Sequence, residues 1–115
     1  MITIRHYDDI TPIPVDADGA KNARKRLLVG AADGVPYFSI RMFTIGPGGN
    51  TPSHAHDFEH EIYILEGTAK CVSGSTETPV RAGSVIFVPG GEPHCFVNTG
   101  SGDLVVLCMV PKEYE

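Results

Sequence analysis

The chain has 115 residues, 42% of them hydrophobic and 20% charged, which suits one soluble globular domain with room for a core. A net charge of −5 argues against the basic face that a nucleic acid or an anionic membrane surface requires. No apolar run approaches the ~18 residues of a membrane helix, and the first residues, with Arg5, Asp8 and Asp9, lack the apolar stretch of a signal peptide.

Thirteen glycines and nine prolines, spread along the chain, divide it into short segments of the kind that strands joined by turns make. Residues 2–7 alternate weakly and predict a first edge strand, which Pro12, Pro14 and the turn residues 16–19 then break. Residues 21–30 hold four of the nine basic side chains and read as a solvated face leading into an apolar strand end, ahead of an anion site as the alternative. A hairpin-type turn at 32–34 leads to a strand over 36–45, closed by residues 46–50. Further strands are predicted at 62–65, 68–73, 78–81, 84–88, 94–98 and 104–110, with turns between them.

None of these segments has helical periodicity. Eight to ten short strands predict an all-β sandwich or barrel. Residues 84–88 and 104–110 are apolar on both faces, whereas an antiparallel sheet in a small monomer shows one wet face, so a homodimer is expected to cover the second. Cys71, Cys95 and Cys108 are odd in number and lack CxxC spacing. They read as reduced, buried structural thiols of a cytoplasmic protein, ahead of one disulfide pair with a leftover thiol.

The chemistry concentrates in residues 54–61, where His54, His56 and His60 fall at i, i+2 and i+6 and Glu61 follows. In an extended strand that spacing points all three imidazoles to one face, and neutral imidazole is the commonest metal-ligating side chain. His94 follows a second turn, residues 89–93, while His6 stands alone and reads as an ordinary hydrogen-bonded residue.

These two blocks resemble the paired motifs of the cupin superfamily. The first family pattern is matched by Gly48, His54, His56 and Gly67, and the position of its usual glutamate falls on His60, with Glu61 displaced beside it. The second is matched without a gap by Gly83, Pro89, Gly91, His94 and Asn98. The resemblance implies a jelly-roll β-barrel (a double-stranded β-helix) over residues 36–111, with residues 1–35 as N-terminal strands packed on it in a single domain. It also implies one divalent metal ion per chain, held by His54, His56, His60 and His94, with manganese or iron favoured and zinc or nickel as alternatives. Four imidazoles leave the ion its full double charge, which acidifies bound water and favours anionic ligands. His60 shares parity with Ile62 and Ile64, which favours it over Glu61 as the ligand. Arg41, Tyr63 and Glu61 are candidates to support a ligand, but the sequence does not fix their faces. No motif identifies a catalytic residue. An enzyme acting on a small oxygen-bearing metabolite (an oxygenase, isomerase or lyase), a binding or sensor module for a small molecule, and a purely structural metal protein all fit the pattern.

Overall fold

The computed structural model describes all 115 residues, which form nine strands and three short 3-10 turns. The strands are β1 (Ile13–Pro14), β2 (Lys21–Val29), β3 (Phe38–Asn50), β4 (His60–Glu66), β5 (Thr68–Ser73), β6 (Thr76–Arg81), β7 (Val85–Val88), β8 (Cys95–Asn98) and β9 (Leu104–Pro111). All pair antiparallel in one curled sheet, ordered β6-β5-β8-β3-β9-β4-β7, with β2 hydrogen-bonded along β3 and β1 along β2. The all-β barrel expected from the turn spacing is the fold observed.

The strand β3 is the pivot. Phe38–Ile45 pairs with β9 on one side and with β2 on the other, while Asn50 reaches across to Val97 of β8. The sequence predicts that residues 46–50 close this strand, but the strand continues through them to Asn50. Gly48 adopts φ 74, a left-handed conformation open to glycine, and the chain turns a barrel corner there without ending the sheet. A second expectation fails at residues 2–7, which join no strand. A 3-10 turn at Tyr7–Asp9 takes their place, with His6 Nδ1 accepting the Asp8 N–H at 3.1 Å. The segment is held to β2 by side chains instead. Arg26 Nε donates to the Ile10 carbonyl at 2.8 Å and Arg5 Nη1 donates to the Leu28 carbonyl at 2.8 Å.

Alternation sorts the rest. Along β9, Leu104, Val106, Cys108 and Val110 are all buried and join Ile45, Ile62, Ile64, Ala69, Val88 and Phe96 in one core. Each such aliphatic side chain contributes about 1.5–3 kcal/mol when fully buried. The opposite face of the neighbouring strands is bare: Val85 is 77% exposed and Phe87 61%, with Tyr63 and Leu65 beside them also exposed. A pleat has only two faces, so the apolar residues of 84–88 that do not reach the core face outward.

Candidate metal centre

The histidines converge by a route other than strand alternation. Residues 51–59 form a loop in which only His54 makes a bridge, and the strand β4 begins at His60. The extended strand expected across His54, His56 and His60 is therefore corrected, because main-chain bonds to the second motif hold this loop. His54 and His94 exchange both main-chain N–H···O=C bonds, at 3.3 and 3.0 Å. The Gly91 N–H donates to the His56 carbonyl at 2.6 Å. Gly90 lies so close to the loop that a Cβ there would stand 2.6 Å from the Asp57 carbonyl oxygen. At the far end of the loop the Phe96 N–H donates to Thr51 Oγ1 at 2.8 Å.

Ring nitrogens of His54, His56 and His94 lie within 4.8 Å of one another, and this is the cluster of three potential ligand atoms that the fold assembles. His60 stands outside that triple but against it. Its Nε2 is 2.9 Å from His56 Nε2, and its ring centroid is 4.4 Å from that of His56 and 5.4 Å from that of His94. Two nitrogens bound to one ion at about 2.1 Å each lie roughly 3–4 Å apart, so small side-chain rotations bring the triple into range. The donor set fits a divalent first-row ion because imidazole ligands must be neutral to bind. Burial, then the mutual approach of the rings and of Arg41, pushes His60 down to about 3. Burial also lowers His54 and His56 from the ordinary imidazole value.

His60 is buried on the inner face of β4 with Ile62 and Ile64, as its parity predicts. Glu61 faces the other way, opposite Phe87 on one side and Met109 on the other. Its Oε2 is buried without a hydrogen-bond partner, and burial together with Glu59 raises its pKa. Tyr63 is likewise on the outer face.

Arg41 is on the inner face. Its Nη2 lies 3.2 Å from His60 Nδ1 and donates to Cys108 Sγ at 3.1 Å, and Cys108 Sγ is 2.9 Å from His60 Nδ1. Cys108 is buried, as expected of a structural thiol, yet it also touches the histidine cluster, a role hidden by the unbroken apolar run of β9. Burial pushes its thiol up, against the opposing influence of Arg41. Cys95 is buried away from the rings, while Cys71 is half-buried, and all three cysteines are free.

These rings open onto a cavity of about 510 Å³ whose lining includes Phe43, Phe58, Ile62, Phe96, Arg41 and Lys25. Sequence reasoning missed Lys25 and Phe58 as pocket residues. The register Lys25↔Phe43 would have placed Lys25 inside, but register is a long-range property. Phe58 stacks on His56, with ring centroids 4.0 Å apart and planes at 6°.

A curled antiparallel barrel with an imidazole cluster over a half-open hollow defines the class of small ligand-cavity β-barrels. A family profile described as "Cupin domain" matches residues 41–110, and the chain belongs to that family. The polyketide cyclase RemF from Streptomyces resistomycificus is similar over 96% of this chain and 80% of its own, with 36% identity and a TM-score of 0.90. A predicted oxalate decarboxylase from Thermotoga maritima superposes over 96% of this chain and 99% of its own, with 28% identity and a TM-score of 0.83. The oxalate-binding protein of Thermotoga maritima is 38% identical over 65 residues, covering 56% of this chain and 54% of that protein. The chain spans about half the length of the curated relatives it matches. No helix is long and apolar enough to cross a membrane.

Proposed function

We propose that this chain is a metal-dependent cupin that acts on a small oxygen-bearing molecule, with His54, His56, His60 and His94 holding one divalent ion, manganese or iron ahead of zinc or nickel. The observation that carries the reading is the packing of four imidazoles from two distant motifs at one wall of a 510 Å³ cavity, with burial lowering the basicity of His54, His56 and His60. Such an ion, when bound, acts as a Lewis acid toward ligand oxygens and acidifies bound water. The chain's own part is to place and shield. Phe43, Phe58 and Phe96 give the hollow apolar walls, and Arg41 sets a fixed positive charge beside His60. The kinship with a polyketide cyclase supports isomerase-, lyase- or cyclase-type chemistry. The kinship with an oxalate-binding protein favours a second reading, in which the same pocket retains its ligand unchanged.

Two further elements belong to the proposal. The exposed apolar face formed by Tyr63, Leu65, Val85 and Phe87 packs against a second copy in a homodimer, and the three free cysteines suit a cytoplasmic setting. The test is elemental analysis of protein purified without added metal, together with a spectrum that reports coordination number. One ion per chain with exchangeable water supports the reading. A closed four-coordinate zinc reduces the ion to a structural role, and a chain that takes up no ion removes the reading altogether.

A further inference from the structure

We infer that the ligand of this pocket is an organic anion carried on an apolar, ring-sized body, and that Arg41, with Lys25 beside it, reads the acidic group. The inference rests on the cavity being the functional site, as proposed above, but not on metal being bound. Arg41 and Lys25 both project from the inner face, since Lys25 pairs with Phe43 across the β2–β3 ladder and Arg41 lies two residues from Phe43. Diagonal neighbours of this kind are within reach of one another's long side chains.

Arg41 has no carboxylate partner in the protein. The ion pairs of the chain are Arg5–Asp33, His6–Asp8 and Lys70–Glu77, and none involves the pocket cations. Lys25 Nζ donates to the main-chain oxygen of Glu115 at 3.5 Å. The Arg41 guanidinium lies over the Phe43 ring, 5.0 Å from its centroid, and its Nη2 is occupied by Cys108 and His60. Its Nε is buried with no hydrogen-bond partner at all. A partly buried guanidinium with an orphaned donor costs stability unless an acceptor completes it, and its planar fork matches a carboxylate or enolate. The single acid on the lining, Asp16, is exposed at the rim. In a chain with a net charge of −5, a guanidinium without a carboxylate partner in this hollow, with Lys25 beside it, favours an anion. Around them stand Phe43, Phe58, Phe96, Ile62 and Val106, and 510 Å³ far exceeds what a bare two-carbon diacid fills.

The experiment compares 2-naphthoate, its neutral carboxamide and oxalate by calorimetric titration, on metal-free and on manganese-treated protein. Wild type is expected to bind the naphthoate at least about tenfold more tightly than the carboxamide, because a charged hydrogen bond is worth about 1.5–3 kcal/mol. It is also expected to bind naphthoate more tightly than oxalate on the metal-free protein. Arg41→Gln should erase the preference for acid over amide while leaving amide binding within about twofold, Arg41→Lys should restore part of it, and Lys25→Gln should reduce it. Equal binding of acid and amide by wild type overturns the inference, as does an equal loss of both in Arg41→Gln, which marks a packing role on Phe43. Failure of naphthoate to bind at all also overturns it. If Arg41→Gln does not fold, the wild-type comparison and Lys25→Gln still decide. Acid preference without metal uptake would sink the metal reading alone, and metal uptake without acid preference would sink this one alone.

Discussion

Phe58 and Tyr114 stack face to face, with ring centroids 3.9 Å apart and planes 9° from parallel. Phe58 in turn stacks on His56 at 4.0 Å, so a tyrosine near the end of the chain braces an imidazole of the candidate centre through one intervening ring. An aromatic pair contributes about 0.5–1.5 kcal/mol beyond its buried area. Tyr114→Ala is therefore expected to weaken metal retention several-fold, read by competition with a chelator, and Tyr114→Phe to preserve it. Unchanged retention in the alanine variant would show that the stack does not position His56.

The metal-free protein should lose stability on acidification well before its carboxylates titrate. His60 protonates at about 3 in the folded chain, against 6.5 for an unperturbed imidazole, so between these values the unfolded chain binds the extra proton. Stability from this group is full above about 6.5 and drains away as pH falls toward 3. His54 and His56, also lowered, act in the same direction. Denaturant midpoints followed from neutral pH downward should fall, and His60→Asn should flatten the slope. The same shifts move proton competition for the ring nitrogens below the ordinary imidazole value of ~6.5.

His60→Ala should weaken metal retention far more than Glu61→Ala. The two residues are neighbours, yet only His60 faces the cavity, while Glu61 sits on the outer face between Phe87 and Met109. The reverse order would require Glu61 to reach through the sheet, and would move the ligand assignment to it.

Gly90→Ala is expected to destabilise the loop that carries His56. The added methyl would stand 2.6 Å from the Asp57 carbonyl, a main-chain atom that cannot swing aside. Overpacking of this kind typically costs about 1–3 kcal/mol. A drop in melting temperature accompanied by weaker metal binding is the expected result. A fall in stability with full metal affinity would uncouple the Gly90 contact from the site.

Phe87→Asp tests the proposed dimer. Phe87 is 61% exposed on the strand β7, at the edge of the sheet, and a carboxylate there should shift the protein to monomer in sedimentation at unchanged fold. If the wild type already sediments as a monomer, the outer face has some other partner or none.

Much of the strand layout was legible because glycine and proline punctuate it and alternation sorts inner from outer residues. The turns at 73–75, 82–83 and 99–102 fall where their composition puts them, and His60 faces inward as its parity with Ile62 and Ile64 requires. Reading failed at residues 2–7, where weak alternation found no partner strand, and at 46–50, where turn-forming residues bend a strand without ending it. Both failures share a cause: a strand exists only if a neighbour supplies hydrogen bonds, and that neighbour is remote in sequence.

The histidines show the same division. Local chain chemistry determined which residues are ligand-like, how they are spaced, and that His60 rather than Glu61 points inward, since residue type and two-residue periodicity are properties of short segments. Only the tertiary structure decided that His54 and His56 lie on a loop and that the main-chain bridge to His94 draws them to it. It alone set Arg41, Lys25 and Cys108 around the rings, because these positions follow from the register of β2, β3 and β9, which is fixed by packing of the whole barrel.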